Sequence, residues 1–396
     1  MIYDVVIVGA GASGMMCAAA LCRNKKLKVL ILEKNDRLGK KILITGNGRC
    51  NLGNLDNDIK YYHSSSNLHS FKEALQKNKY NHIDFLKNIG ILVLQEDNRL
   101  YPNSMQALTV CKSFERYLKN KVDIKYNYDV TSIGKKDSVY IINDEIQTKK
   151  LVIATGGKSY PKTGSTGIGY ELLKKMGHKI TKTYPSLTSL KTNDKYIKDL
   201  AGIRANVEVK LIVDNKNIDS QTGQLQFTKN SISGICVFNL SRNISKYLAD
   251  GKKVSICIDL LPYFNDAYNY LKKFPDYKIQ EALSCMINNK LAIVISKKTR
   301  SYDKLVSDIS DNELKNICNM IKELSFNIID TGSYDVAQVT NGGASLDEFN
   351  DDLESKKQKG LYAIGEILDV DADCGGYNLT WAFTSALIVA NSILNN

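Results

Sequence analysis

The chain begins with hydrophobic runs that are separated by glycines. Residues 3–8 are apolar apart from Asp4, as expected for a strand buried on both faces, and a glycine-rich turn covers residues 9–14. An alanine-rich helical pattern covers residues 15–23, and residues 28–33 form a second apolar run. A strand, a glycine turn, a helix and a strand within about thirty residues predict a βαβ unit.

Hydrophobic spacing predicts the further elements of a mixed α/β chain. Helices are predicted at residues 71–90, 106–120, 170–176 and 379–394. Buried or alternating strands are predicted at residues 122–128, 139–146, 151–157 and 360–365. Residues 186–261 consist of short alternating segments, which indicates an antiparallel sheet or a small barrel. Residues 262–324 are helical in pattern, and Ser310 with Glu313 forms a capping-box signature.

The order of these patterns indicates one α/β domain that is interrupted by insertions. We place the first part of this domain at residues 1–185 and its second part at residues 341–396. A β-rich insertion covers residues 186–261 and about 325–340, and a helical insertion covers residues 262–324. Insertions of this kind usually cover a bound cofactor and shape a substrate pocket.

The turn at residues 9–14 has the glycine spacing that binds a dinucleotide. Gly9 permits the tight bend, Gly11 lets the backbone approach a pyrophosphate, and Gly14 lets the helix pack against the strand. The free N–H groups and the positive dipole at the helix N-terminus attract the phosphates. Glu33 ends the second strand, where a carboxylate accepts hydrogen bonds from an adenosine ribose.

A second glycine-rich loop, residues 39–51, favours FAD over NAD as the dinucleotide. It directly follows the adenosine-binding strand, so it is able to run along the cofactor toward a flavin ring; a glycine-rich surface turn is the alternative. Residues 155–157 offer another backbone approach to the cofactor. Residues 365–378 place carboxylates and a glycine pair ahead of a helix, whose N-terminus would stabilise a reduced, anionic flavin.

These motifs, with those at residues 99–102, 227–234 and 338–343, carry a resemblance that runs nearly end to end. The chain resembles a family of FAD-binding flavoproteins that includes bacterial 3-dehydro-bile-acid reductases and aminoacetone oxidases. The resemblance implies an α/β fold with a split Rossmann-like FAD-binding domain, a β-barrel-like insertion and a helical cap. It also implies these cofactor contacts: Gly9, Gly11, Ser13, Gly14, Glu33, Lys34, Lys41, Thr45, Gly48, Arg49, Cys50, Asn51, Val130, Thr155, Gly156, Gly365, Glu366, Asp369, Gly376, Asn378 and Leu379.

Composition narrows the classes of site and partner. The nine cysteines form no Cys-x-x-Cys pair and the four histidines have no ligand spacing, so we expect neither a metal site nor a disulfide framework. We find no apolar run of about eighteen residues and no signal peptide, and we expect a cytoplasmic protein without a membrane span. The net charge of +12 is spread along the chain rather than gathered in a block, so we expect no nucleic-acid partner.

The sequence thus predicts an FAD-dependent oxidoreductase. From the resemblance we expect reduction of a C=C bond conjugated to a ketone, as in a 3-oxo-unsaturated steroid or bile acid, with NADH or NADPH as a transient electron donor. An oxidase acting on a small amine such as aminoacetone and a flavoprotein acting on RNA are the alternatives. Tyr160 and Tyr377 are candidate proton donors, and Cys50 is either a flavin-linked thiol or a small packed side chain. The oligomeric state is not predicted.

Overall fold

A computed structural model describes residues 1–66, 68, 72 and 81–395 of the 396-residue chain. Its strands are β1 (Ile2–Val8), β2 (Val29–Leu32), β3 (Gly53–Asn54), β4 (Tyr62–His63), β5 (Val93–Glu96), β6 (Arg99–Pro102), β7 (Asp123–Lys125), β8 (Ile133–Lys136), β9 (Val139–Ile142), β10 (Ile146–Ile153), β11 (Tyr184–Ser186), β12 (Leu190–Lys191), β13 (Arg204–Val213), β14 (Lys216–Phe227), β15 (Ser231–Gly234), β16 (Val254–Asp259), β17 (Leu324–Ile328), β18 (Asp330–Thr331), β19 (Val339–Asn341), β20 (Leu361–Ala363) and β21 (Asp371–Ala372). Its α-helices are α1 (Ala12–Leu21), α2 (Asn81–Asn88), α3 (Ala107–Leu118), α4 (Ile168–Lys175), α5 (Ile235–Ser241), α6 (Ile244–Ala249), α7 (Ala267–Lys272), α8 (Ile279–Ser284), α9 (Asn289–Lys298), α10 (Asp311–Lys322) and α11 (Tyr377–Asn395).

The chain divides into two compact units. The first consists of Met1–Tyr184 and Tyr334–Asn396, and the second of Pro185–Ser333. The first unit is therefore assembled from both ends of the sequence, as in the split domain that the resemblance implies. The predicted division of the inserted segment into a β-rich part and a helical cap stays a prediction.

The first unit is built on a mostly parallel sheet. Its strand order is β7-β2-β1-β10-β9-β8, and β20 also pairs with β10. The strands β7, β2, β1, β10 and β20 pair with one another in parallel, whereas β9 pairs antiparallel with both β10 and β8. The central strand β1 is buried from Val5 to Val8, which explains why its sequence is apolar without alternation. Helix α1 is buried nearly all round and packs against α11, which suits its small side chains.

The second unit contains an antiparallel sheet with the order β17-β16-β13-β14-β15-β12-β18. Only Ile329 separates β17 from β18, so the two ends of this order belong to one nearly continuous stretch of chain. That continuity gives the sheet a barrel-like closure, as the resemblance implies. Helix α10 begins with the predicted capping box, because the Ser310 hydroxyl accepts a hydrogen bond from the Glu313 N–H and the Glu313 carboxylate accepts one from the Ser310 N–H.

Several predicted element boundaries differ from those observed. Within the predicted helix 71–90, residues 71 and 73–80 lie outside the described residues, and α2 covers only the part from Asn81 to Asn88. The predicted strand at 122–128 shrinks to β7, and the predicted helix at 170–176 begins two residues earlier, at Ile168. Among the helices that the structure describes, none is both long enough and apolar enough to cross a membrane.

Candidate functional site

The turn between β1 and α1 creates a space that the chain itself does not fill. Gly9 has a φ of 102°, and a Cβ atom there would lie 2.6 Å from the Ala154 carbonyl oxygen. A Cβ atom on Gly14 would lie 2.0 Å from the Gly9 carbonyl oxygen, so these two glycines serve close packing. A Cβ atom on Gly11, in contrast, would meet no heavy atom within 4 Å. The helix N-terminus at Gly11 is therefore open to a ligand.

Glu33 is fixed at the carboxyl end of β2. Its side chain is buried, and its Oε2 accepts a hydrogen bond of 2.7 Å from the Ala10 N–H. Its Oε1 accepts two more, from the backbone N–H of Asn35 at 2.8 Å and from the Asn35 side-chain amide at 2.7 Å. These bonds orient the carboxylate toward the cleft beside α1, whose wall it forms.

A deep cleft in the first unit joins these features. It contains about 1210 Å³ of empty space, including open solvent at its mouth. The predicted contacts that line it are Gly9, Gly11, Ser13, Glu33, Lys34, Lys41, Thr45, Val130, Thr155, Gly156, Glu366, Asn378 and Leu379. These residues come from both terminal parts of the chain, which meet at the cleft.

The other predicted contacts lie outside the lining of this cleft: Gly14, Gly48, Arg49, Cys50, Asn51, Gly365, Asp369 and Gly376. Some of them have structural roles. The Gly365 N–H donates to the Ser385 hydroxyl, and the buried Asp369 carboxylate accepts a hydrogen bond from the Ser65 hydroxyl. A Cβ atom on Gly376 would lie 2.6 Å from Asn51 Oδ1, which shows how closely these two loops approach. Contact of these residues with a cofactor stays a prediction.

An ion pair joins two loops that line the cleft. Lys41 Nζ lies 2.7 Å from Glu366 Oε2, and both side chains are about four-fifths buried. Glu366 is itself held in place, because its Oε1 accepts a hydrogen bond of 2.8 Å from the Thr340 N–H. Lys41 thus presents a positioned ammonium group with further N–H donors to the cleft.

Residues that sequence reasoning missed also line the cleft, among them Asn35, Asp129, Gln338 and Trp381. Asn35 follows Glu33 by two positions, and Gln338 begins the motif at 338–343, so the sequence offered a signal for both. Trp381 donates a hydrogen bond from its indole to the Gly365 carbonyl, which ties α11 to the glycine loop. Within the described residues, no group of three or more His, Cys, Asp or Glu side chains is arranged to hold a metal ion.

The geometry of the cleft fits FAD. The open space at Gly11 suits a pyrophosphate, and the carboxylate of Glu33 suits a ribose. The open helix N-terminus and the carboxylate of Glu33 therefore match the pyrophosphate and the ribose of a dinucleotide.

The three candidate catalytic residues differ in environment. Cys50 is fully buried with a φ of 62°, and burial raises the pKa of its thiol to about 12, which keeps the thiol protonated at neutral pH. Tyr377 is buried and stacks on Tyr61 at 4.5 Å, and burial raises the pKa of its phenol. Tyr160 has a left-handed backbone with a φ of 54°, a strained conformation that is held by its N–H bond to the Tyr334 carbonyl. A catalytic role for any of them stays a prediction.

Comparison with known proteins assigns the chain to a family. The profile described as HI0933-like protein Rossmann domain matches residues 3–392. The chain is 33% identical over 401 residues to a 3-dehydro-bile acid delta(4,6)-reductase of Clostridium scindens, and the match covers 98% of each chain. It is 32% identical over 410 residues to a ribosomal RNA dihydrouridine synthase of Haemophilus influenzae, again over 98% of each.

The fold has structural relatives as well. The structure of a 3-ketosteroid delta1-dehydrogenase from Sterolibacterium denitrificans, in complex with 1,4-androstadiene-3,17-dione, matches with a TM-score of 0.50. That match covers 100% of this chain and 99% of the other at 13% identity, and a likeness at that identity shows the fold alone. The family profile spans nearly the whole chain and both sequence relatives match end to end. The chain therefore belongs to the HI0933-like family of Rossmann-type FAD-binding proteins and is an FAD-dependent oxidoreductase.

Proposed function

We propose that this protein uses NADH or NADPH to reduce a C=C bond conjugated to a carbonyl group, with a 3-oxo-unsaturated steroid or bile acid as the first candidate substrate. The observation that carries the proposal is the end-to-end similarity to a 3-dehydro-bile acid reductase at 33% identity. The cleft is compatible with it, because it offers sites for the phosphates and ribose of a dinucleotide and a positioned lysine. A cytoplasmic location stays a prediction.

FAD, when bound, would supply hydride transfer between the nicotinamide donor and the substrate. The residues of the chain would bind and orient it. The N–H groups at the start of α1 would hold the pyrophosphate, and Glu33 would accept hydrogen bonds from the adenosine ribose. The ammonium of Lys41, held by Glu366, would place a positive charge in the cleft.

A uracil base in RNA is a second candidate substrate. The specific observation in its favour is the similarity to a ribosomal RNA dihydrouridine synthase at 32% identity over 98% of each chain. The chemistry is of the same class, because the C5=C6 bond of uracil is conjugated to its C4 carbonyl. The net charge of +12 would attract an RNA backbone, although the charge is spread along the chain.

The test separates the two half-reactions. The purified yellow protein is mixed anaerobically with NADH or NADPH, and the visible flavin absorbance is followed by stopped flow. The reduced protein is then mixed with an unsaturated 3-oxo steroid, with a uridine-containing rRNA fragment, or with oxygen. Fast bleaching and fast recovery with one of the two C=C substrates, but slow recovery with oxygen, would support the proposal. Bleaching by aminoacetone rather than by a nicotinamide, with fast recovery in oxygen, would favour the oxidase.

A further inference from the structure

The motif at residues 99–102 has no role in the cofactor cleft. Its first residue, Arg99, lies on β6, the middle strand of the three-stranded sheet β3-β6-β5. The strand register places Arg99 opposite Asn54 on one side and opposite Glu96 on the other. Directly opposite residues of an antiparallel pair have Cβ atoms about 4.5–5.5 Å apart, so these three side chains are neighbours.

Arg99 is a partly buried cation whose neighbouring carboxylates are engaged by other side chains. Glu96 is engaged by Arg49, whose Nη1 lies 3.5 Å from Glu96 Oε2. Asp373, on the neighbouring loop, is engaged by His63 at 2.8 Å. Within the described residues, the Arg99 guanidinium has neither an ion pair nor a hydrogen bond. A guanidinium offers five N–H donors, and at this partly buried position they are open to water or to a ligand.

The surroundings of Arg99 connect it to the cofactor cleft. Its neighbour Asn54 is buried and donates a hydrogen bond of 3.1 Å from its side chain to the Gly375 carbonyl, in the glycine pair that precedes α11. Burial raises the pKa of the Cys374 thiol, and the positive charge of Arg99 acts in the opposite direction. The Cys374 Sγ lies 3.8 Å from Gln338 Oε1, and Gln338 lines the cleft. Asn54, the loop of Cys374 and Gly375, and Gln338 thus link the position of Arg99 to the cleft wall.

We infer that Arg99 is a catalytic residue that donates hydrogen bonds to the carbonyl oxygen of the substrate. This inference rests on the proposed function and deepens it. Addition of a hydride to the carbon β to the carbonyl moves the C=C electron pair into the carbonyl system and forms an enolate, with negative charge on oxygen. A proton from water then adds to the α-carbon, so that one NAD(P)H and one proton are consumed for each C=C bond. A guanidinium aimed at that oxygen stabilises the charge as it develops.

The first test is kinetic. Loss of one donor to a developing oxyanion typically costs about 10²–10³-fold in rate, so Arg99→Met should slow substrate-driven reoxidation of the flavin by that factor. The rate constant at saturation should fall more than the substrate affinity, and Arg99→Lys should recover part of the rate. FAD content and the rate of flavin bleaching by NADH or NADPH should match those of the unmodified protein. Arg116→Met is the matched control, because Arg116 is an exposed arginine on α3 that donates a hydrogen bond to the Lys112 carbonyl.

The second test does not depend on turnover. p-Nitrophenol resembles an enol, and its phenolate is coloured, so its ionisation when bound to the oxidised protein can be titrated. Arg99 should lower the pKa of the bound phenol, and Arg99→Met should restore it to the value of free p-nitrophenol while Arg116→Met does not. Equal reoxidation rates and equal phenol pKa values in the native and Arg99→Met proteins would overturn the inference. If no C=C substrate reoxidises the native protein, the proposed function fails, and the phenol titration still decides the role of Arg99.

Discussion

Replacing Gly11 by alanine adds one methyl group at the place where the structure leaves open space beside α1. The backbone of Gly11, with a φ of −73° and a ψ of −167°, is accessible to any residue, and its Cβ would meet no heavy atom within 4 Å. Alanine is a poorer N-cap than glycine, so the apoprotein should lose at most about 1 kcal/mol of its free energy of unfolding. The methyl group would instead occupy the approach of the pyrophosphate.

The expected loss of FAD affinity follows from overpacking. An extra methyl group in a close-packed contact typically costs about 1–3 kcal/mol, which corresponds to an about 5- to 150-fold higher Kd for FAD. Gly14→Ala is the matched comparison, because its Cβ would lie 2.0 Å from the Gly9 carbonyl oxygen and 3.0 Å from the Gly9 carbonyl carbon. That variant must move backbone, so it should lose stability even without FAD.

Two measurements on the apoprotein check this pair of variants. Fluorescence titration with FAD gives the Kd, and urea unfolding gives the stability. Gly11→Ala should bind FAD weakly with nearly native unfolding, whereas Gly14→Ala should unfold at lower urea. If Gly11→Ala binds FAD within twofold of the native protein, or if Gly14→Ala is as stable as the native apoprotein, the assignment of the two glycines is wrong.

Three further predictions concern buried groups. Lys41→Met leaves Glu366 without its ion pair and should destabilise the apoprotein by about 3 kcal/mol, whereas Lys41→Met combined with Glu366→Gln should cost less, as a double-mutant cycle in urea would show. Burial lowers the pKa of His82 to about 4, so only the unfolded chain gains a proton as the pH falls from about 6.5 toward 4. The free energy of unfolding should then fall by about 2 kcal/mol between pH 7 and pH 5 because of His82. Urea unfolding of His82→Phe should show a fall that is smaller by this amount. The same pH dependence in the variant and the native protein would contradict the prediction. Iodoacetamide should alkylate the exposed Cys285 in the native protein but not the buried Cys50, and peptide mass mapping that finds Cys50 modified first would contradict the burial.

Local features of the fold were predictable from the sequence. The apolar β1, the glycines of the first turn and the capping box at Ser310 each depend on residues within a few positions of one another. The carboxylate of Glu33 could be placed because strand β2 ends there, at the edge where parallel strands bind ligands. In these cases short-range spacing and elementary backbone geometry are sufficient.

Features that depend on distant parts of the chain were not predictable in the same way. Lys41 and Glu366 are 325 positions apart, and nothing in either motif indicates that their side chains meet. The barrel-like closure requires that β17 and β18 pair with strands far apart in the order of the sheet. Glu96 and Asp373 do not pair with Arg99 because Glu96 pairs with Arg49 and Asp373 pairs with His63. Motif spacing carries no information on such competition between side chains.

Reduction of a C=C bond conjugated to a carbonyl group is the proposed activity. The most direct test of this activity is mass spectrometry of the substrate after one anaerobic turnover of the NADPH-reduced protein. We expect a product that carries two more hydrogen atoms than the unsaturated 3-oxo steroid or the uracil base, in a yield of one per flavin. Unchanged substrate in both cases, together with a flavin that stays reduced until oxygen is admitted, would contradict the claim.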